Sequence, residues 1–175
     1  MISLRGLNTV QDTLVLDPRD AGMQHGTWCL GVMAGRKFGT YVGAAFDAQY
    51  ALGRTEVDAF ERTQEMIYWG MGAEWADSLG ADIISSSLGY SRRSTSTAYN
   101  YSYSAMDGHT TVISRAAQIA AQKGIIVVSA AGNEGNQAMA LHHRPSGRER
   151  RQPDRGRRGG PERHARLVLL VRAER

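Results

Sequence analysis

Three short stretches hold side chains whose types and spacing could serve one reaction. The first is His25-Gly26-Thr27-Trp28-Cys29-Leu30-Gly31-Val32-Met33-Ala34-Gly35, an imidazole at the head of an apolar, glycine-spaced run. Histidine titrates near neutral pH and can take a proton from a nucleophile within hydrogen-bond reach. Gly26 removes side-chain bulk beside the ring. The second is Ala130-Ala131-Gly132-Asn133-Glu134-Gly135, in which Asn133 sits in a glycine-flanked turn behind an apolar strand candidate. A neutral amide there can donate to the oxyanion of a tetrahedral intermediate. The third is Ser87-Leu88-Gly89, whose backbone groups could pair with an extended substrate as an added strand. Each has a plainer alternative: a structural histidine at a helix start, an asparagine in a left-handed turn, a strand-ending turn. Cys29 reads as a small buried packing residue. His109, His142, His143 and His164 show no convincing metal-ligand spacing.

These residues must be positioned by the elements around them. His25 to Gly35 is apolar nearly all round, which predicts a helix buried inside a larger fold. Thr13 to Leu16 and Ala48 to Arg54 read as strands. Residues 58–79 read as a helix with Ile67, Met71, Trp75 and Leu79 as its apolar stripe and Gly80 as its stop. Ile83 and Ile84 lie in a short buried-strand pattern. A polar, Tyr- and Ser-rich insertion runs from Tyr90 to about Gly108. Thr110 to Lys123 reads as a helix with Val112, Ile113, Ala116, Ala117 and Ala120 on one side, ended by Gly124, and Ile125 to Ala130 as a continuous apolar strand. Alternating helices and strands with short connections predict an α/β fold, a parallel β-sheet with helices on both faces. Sites in such sheets lie at the carboxyl ends of the strands. Ser87-Leu88-Gly89 and the Asn133 turn both fall at such ends.

On these motifs the body from about residue 22 to 137 resembles the subtilases, the subtilisin-like serine peptidases. The run from His25 to Gly35 is similar to the family's His motif, with Cys29-Leu30 in place of the common Val-Ala pair. Gly43-Ala44-Ala45-Phe46-Asp47-Ala48 resembles the segment that follows it. Ala130 to Gly135 resembles the oxyanion motif, and Ser87-Leu88-Gly89 the substrate-binding strand end. The resemblance implies a three-layer subtilisin-like sheet, a serine-type endopeptidase acting on extended polypeptides, and a pocket lined by Ala131 and Gly132 for the residue before the scissile bond. It implies a parent that is secreted or periplasmic. Calcium is common in the family, but no site for it can be placed here, and no other cofactor is implied. The Tyr-rich insertion and the Arg54-Thr55-Glu56 run point to a bacterial branch.

Two members of a catalytic triad are not found. The family's Asp lies upstream of the His, in an apolar strand followed by Thr-Gly or Ser-Gly. Asp12, Asp17 and Asp20 lack that context and none is assigned. The nucleophile motif is absent as well, and Ser129 and Ser146 have the wrong surroundings. The sequence therefore reads as an incomplete catalytic domain, inactive or nearly so alone, with His25 and Asn133 as its catalytic groups.

Bulk properties divide the chain in two. At 175 residues and 42% hydrophobic it suits one globular domain. No run of apolar residues is long enough to span a membrane, and Met1 to Val10 does not read as a signal peptide. The formal charge of +4 conceals an asymmetry. Residues 144–175 hold 11 Arg, no Lys and 4 acids, and the rest of the chain is mildly acidic. The division drawn is a partial catalytic domain over 1–140 and an Arg-rich tail over 141–175, disordered or out of frame. A basic nucleic-acid-binding arm is the alternative, but the tail holds no aromatic residue on which bases could stack. Back-translated and read one base later, residues 142–175 yield text resembling what subtilases carry after the oxyanion Asn. That favours the out-of-frame reading, and the coding DNA is its test. Oligomeric state and peptide-bond specificity are not legible.

Overall fold

The computed structural model describes residues 4–8, 24–57, 63–90, 101–105, 107–130 and 166–173. Within them lie β1 (Leu4–Asn8), α1 (Gln24–Ala34), β2 (Arg36–Lys37), β3 (Tyr41–Val42), β4 (Gln49–Val57), α2 (Thr63–Ser78), β5 (Ile83–Ser86), a short 3-10 turn (Tyr103–Ala105), α3 (Val112–Gln122), β6 (Ile126–Ser129) and β7 (Arg166–Ala173). β2 and β3 form a small antiparallel hairpin. The other five strands form one sheet in the order β1-β4-β7-β5-β6, and every pairing in it is parallel.

The sheet is covered on both faces, as the alternating pattern predicts. Successive residues of a strand point to opposite sides, and the two cores divide accordingly. Ala51, Ile84 and Val168 pack with Met66, Trp69, Ala73 and Ala76 of α2 and Ala117 and Ala120 of α3. Their neighbours Tyr50, Ile83 and Leu167 pack with Leu30, Met33 and Ala34 of α1 on the other face. The architecture is an incomplete three-layer α/β fold, with α1 on one side and α2 and α3 on the other.

The helix ends follow from sequence. Thr111 caps α3: its backbone is extended and its Oγ1 accepts from Ser114 N at 3.1 Å, which satisfies one of the orphan amides of the first turn. At the other end Ile125 N donates to Ala120 O, and Gly124 N to Ala121 O, with Gly124 at φ 91°. α2 ends in the same way, through Ala81 N to Ala76 O and Gly80 N to Asp77 O with Gly80 at φ 68°. This paired closure needs a left-handed residue, which glycine supplies without steric cost.

Several expectations require correction. Of the stripe expected on α2, Trp75 and Leu79 pack against the core, but Ile67 and Met71 do not. Ile67 is 53% exposed and Met71 is exposed, whereas Met66, Trp69, Ala73 and Ala76 are buried. A strict four-residue repeat drifts around a helix of 3.6 residues per turn. The face that packs alternates steps of three and four, and it uses alanines where α2 meets the sheet and α3. α1 is not buried all round: Trp28 is 60% and Val32 66% exposed, with no described element over that side. β6 is an edge strand with Ile126 and Val128 exposed, and Val112 of α3 is exposed too. β1 and the β2–β3 hairpin have no counterpart in the sequence reading. The strand expected at Thr13 to Leu16 lies outside the described residues, as do 58–62 of the expected helix.

The largest departure is β7. Its residues belong to the tail that reads as disordered or out of frame; they form a central strand and so are ordered, while the coding DNA is the test of the reading frame. Leu167-Val168-Leu169-Leu170-Val171 is an uninterrupted apolar run, which suits a strand covered on both faces. Its start is anchored: Arg166 N donates to Asp82 Oδ2 at 3.0 Å, and Arg166 Nη1 to Leu79 O at 2.8 Å. Residues 141–165 lie outside the described residues.

Candidate active site

Right-handed crossovers between parallel strands run their helices antiparallel to the sheet. α1 therefore begins at the carboxyl edge, and its first residues bring His25 there. Its end, Ala34, packs against Tyr50 and Leu167 near the amino edge. His25 is half-buried, and its Nδ1 is buried without a hydrogen-bond partner among the described residues. A buried ring nitrogen of this kind calls for a partner, and an orienting acid would be one.

One turn along α1, Cys29 shares the face of His25. Its Sγ lies 3.4 Å from Ser87 Oγ. This contact fixes the His-bearing helix against the segment that leaves β5. Ser87 is half-buried, Gly89 is exposed, and Leu88 is buried in the larger core. Only backbone groups of Leu88 can therefore face a substrate.

The end of β5 is itself held from beneath. Trp69 Nε1 donates to Ser86 Oγ at 3.0 Å, with both residues buried. On the other side Ala130 N donates to Ser86 O at 2.9 Å, so β5 and β6 end level with each other. Ala131, Gly132 and Asn133 continue directly from Ala130, and all three lie outside the described residues. The structure brings His25, Ser87, Leu88 and Gly89 to one edge, together with the end of β6, after which residues 131–133 follow in the sequence.

The loop after α1 makes the close approach that seats the helix. Gly43 N donates to Gly35 O at 2.7 Å and Ala45 N to Met33 O at 2.9 Å. A Cβ on Gly43 would run into the carbonyl oxygens of Met33 and Val32. Tyr41 OH also donates to Val32 O. The glycine of the Gly43 to Ala48 segment is thus required by backbone contact.

Sequence reasoning missed a buried polar group beside the site. Thr55 and Glu56 of β4, Glu65 of α2 and Tyr90, one residue past Gly89, are all buried. Burial, and next the negative charge of Glu56, hold the Tyr90 phenol well above its ordinary pKa. Their sequence signal is slight: Arg54-Thr55-Glu56 follows a stretch of β4, Tyr50 to Gly53, that is apolar or small. Among the described residues no three His, Cys, Asp or Glu side chains form a group able to hold a metal ion, and no helix is long and apolar enough to cross a membrane.

Against known proteins, the family model described as the subtilase family, Peptidase_S8, matches residues 8–154. The match is wider than the stretch carrying the motifs, and it runs past residue 141, where the chain changes character. No curated protein and no solved structure matches the chain.

Proposed function

The chain belongs to the subtilase family of serine peptidases, and from that premise we propose that it is the His- and Asn-bearing part of a serine endopeptidase centre. His25 is the general base that takes the proton of a serine attacking the scissile carbonyl. Asn133 donates to the resulting oxyanion. The backbone of Ser87, Leu88 and Gly89 binds the polypeptide substrate as an added strand, and Ala131 and Gly132 line the pocket for the residue before the scissile bond. The observation that carries this reading is the 3.4 Å contact between Cys29 and Ser87. It seats the His25 helix against the strand end assigned to substrate.

This chain alone does not complete the reaction. It lacks the family's Asp and Ser motifs, and without a nucleophile no acyl-enzyme forms. The parent acts outside the cytoplasm, in a secreted or periplasmic setting. Two incubations of the purified chain test this reading. With casein and an active-site serine probe, neither cleavage nor labelling is expected, and robust labelling refutes the claim that this chain alone is inactive. With a fluorescent extended peptide, saturable binding without cleavage is expected. Substituting Gly89→Pro should abolish that binding, and binding indifferent to it removes the substrate role of this segment.

A further inference from the structure

β5 ends at Ser86, but the burial pattern of a strand runs on past it. Ile84, Ser86, Leu88 and Tyr90 are buried, whereas Ser85 and Ser87 are half-buried and Gly89 is exposed. Alternate residues of an extended segment face opposite sides, so positions 86, 88 and 90 point inward and 87 and 89 outward. Ser86 is held by the Trp69 indole, and Leu88 lies in the core that α2 and α3 build. Tyr90 joins the same core and also reaches further, since its hydroxyl lies against Thr55 and Glu56 of β4.

β4 is not the neighbour of β5 in the sheet. β7 lies between them, and strands about 4.8 Å apart set β4 and β5 at about twice that distance. A short side chain at position 90 would not cross it. β4 is shaped to meet the ring. Its register against β7 shifts between Arg54 and Glu56, which leaves Thr55 as an extra residue. In a regular strand Thr55 and Glu56 would face opposite sides, but a bulge re-aims side chains, and both are buried beside one phenol. We propose that Tyr90 is a positioning residue: its ring pegs residues 87–89 to the bulge of β4 and so fixes the backbone that receives an extended polypeptide. Gly89 has no side chain and a permissive backbone, so the hold on that end of the segment comes from the residue after it. Neither the Tyr90 hydroxyl nor Thr55 Oγ1 makes a hydrogen bond of ordinary geometry among the described residues, so the hold lies in the length and shape of the ring. The inference rests on the substrate role proposed for residues 87–89, but the peg itself is tested without substrate.

Amide hydrogen exchange in the full chain, followed by NMR, is that test. Tyr90→Leu keeps an apolar side chain in the core but does not reach β4. The amides of residues 87–89 should then exchange roughly tenfold faster, while those of 83–86 in β5 change less than about twofold. Tyr90→Phe keeps the ring and should leave both sets unchanged. Equal acceleration of the two sets marks Tyr90 as an ordinary core residue and overturns the proposal, as does no acceleration, or a Phe variant that behaves like the Leu one. The fluorescent extended peptide supplies the second readout: it should bind Tyr90→Leu roughly tenfold more weakly and Tyr90→Phe as it binds the unsubstituted chain. Undiminished binding to Tyr90→Leu overturns the positioning role. An unsubstituted chain that binds no peptide refutes the substrate role of residues 87–89, and exchange still decides the peg. Should Tyr90→Leu fail to fold, a nuclear Overhauser contact between the Tyr90 ring and the Thr55 methyl group in the unsubstituted chain decides: its presence supports the peg and its absence overturns it.

Discussion

Replacing Trp69 by Phe tests how the end of β5 is held. The indole N–H donates to Ser86 Oγ at 3.0 Å, and both residues are buried. Phe removes the donor and strands a buried hydroxyl, a loss of about 1–3 kcal/mol. The smaller ring leaves a gap lined by the α2 core and costs about 1 kcal/mol more. The expected total is about 2–4 kcal/mol, a large share of the roughly 5–15 kcal/mol by which domains are stable. Ser86→Ala strands the indole instead and should cost about 1–3 kcal/mol. With both substitutions neither partner is left unpaired, so the double variant should fall short of the sum by about 1–2 kcal/mol. Urea unfolding followed by far-ultraviolet circular dichroism at low micromolar concentration measures all four chains, and does not depend on the tryptophan signal that the substitution alters. Additivity to within about 0.3 kcal/mol would refute the argument that this bond secures the strand end.

Other outcomes follow from named contacts. Gly43→Ala should destabilise by about 1–3 kcal/mol through forced repacking against Met33 O and Val32 O, whereas Gly31→Ala should stabilise by about 0.5–1 kcal/mol, because its Cβ meets nothing within 4 Å in a helix interior; parallel urea midpoints compare them. Asp107 accepts from Thr110 Oγ1 and from the His109 and Thr110 amides, and these bonds lower its pKa to about 2. A carboxylate with a depressed folded pKa gives support that is full above its unfolded value near 3.9 and is lost as pH falls toward 2. An NMR titration of Asp107 with an ordinary midpoint would contradict this. Val128 is 50% exposed on the edge strand β6. Val128→Lys should therefore raise the soluble fraction on expression while lowering the unfolding midpoint little. An unchanged soluble fraction would show that the exposed edge does not govern solubility.

The layered α/β architecture was legible because periodicity and glycine stops are local signals. α1, β4, β5, α3 and β6 fall where the pattern puts them, to within a few residues. What failed depended on partners. The all-apolar His25 to Gly35 run carries no information about which side is covered, and Trp28 and Val32 remain exposed. Likewise Ile125 to Ala130 reads as buried because its apolar run is continuous, whereas burial is decided by a neighbouring strand beyond β6. On α2, Ile67 and Met71 are the more hydrophobic side chains, but alanines at 73 and 76 let the helix approach the sheet, and close approach prevailed. β7 was hidden by composition: one short apolar run was outweighed by the arginines around it. Within the candidate site, motif text marked His25 and Ser87, and the Cys29–Ser87 contact sets the His25 helix against Ser87. Glu65 and Tyr90 were not, because their burial beside Glu56 is a long-range event.

The central claim is that the ring at His25 and the amide at Asn133 meet over one peptide carbonyl. A nitroxide attached at position 28, exposed and one turn from His25, in a chain carrying Trp28→Cys and Cys29→Ser, tests it by paramagnetic broadening of ¹⁵N-labelled amides. The account predicts that the signals of Gly132 and of the Asn133 side chain vanish, while Lys123, at the far end of α3 on the opposite face, stays sharp. An Asn133 side chain as sharp as Lys123 would contradict it.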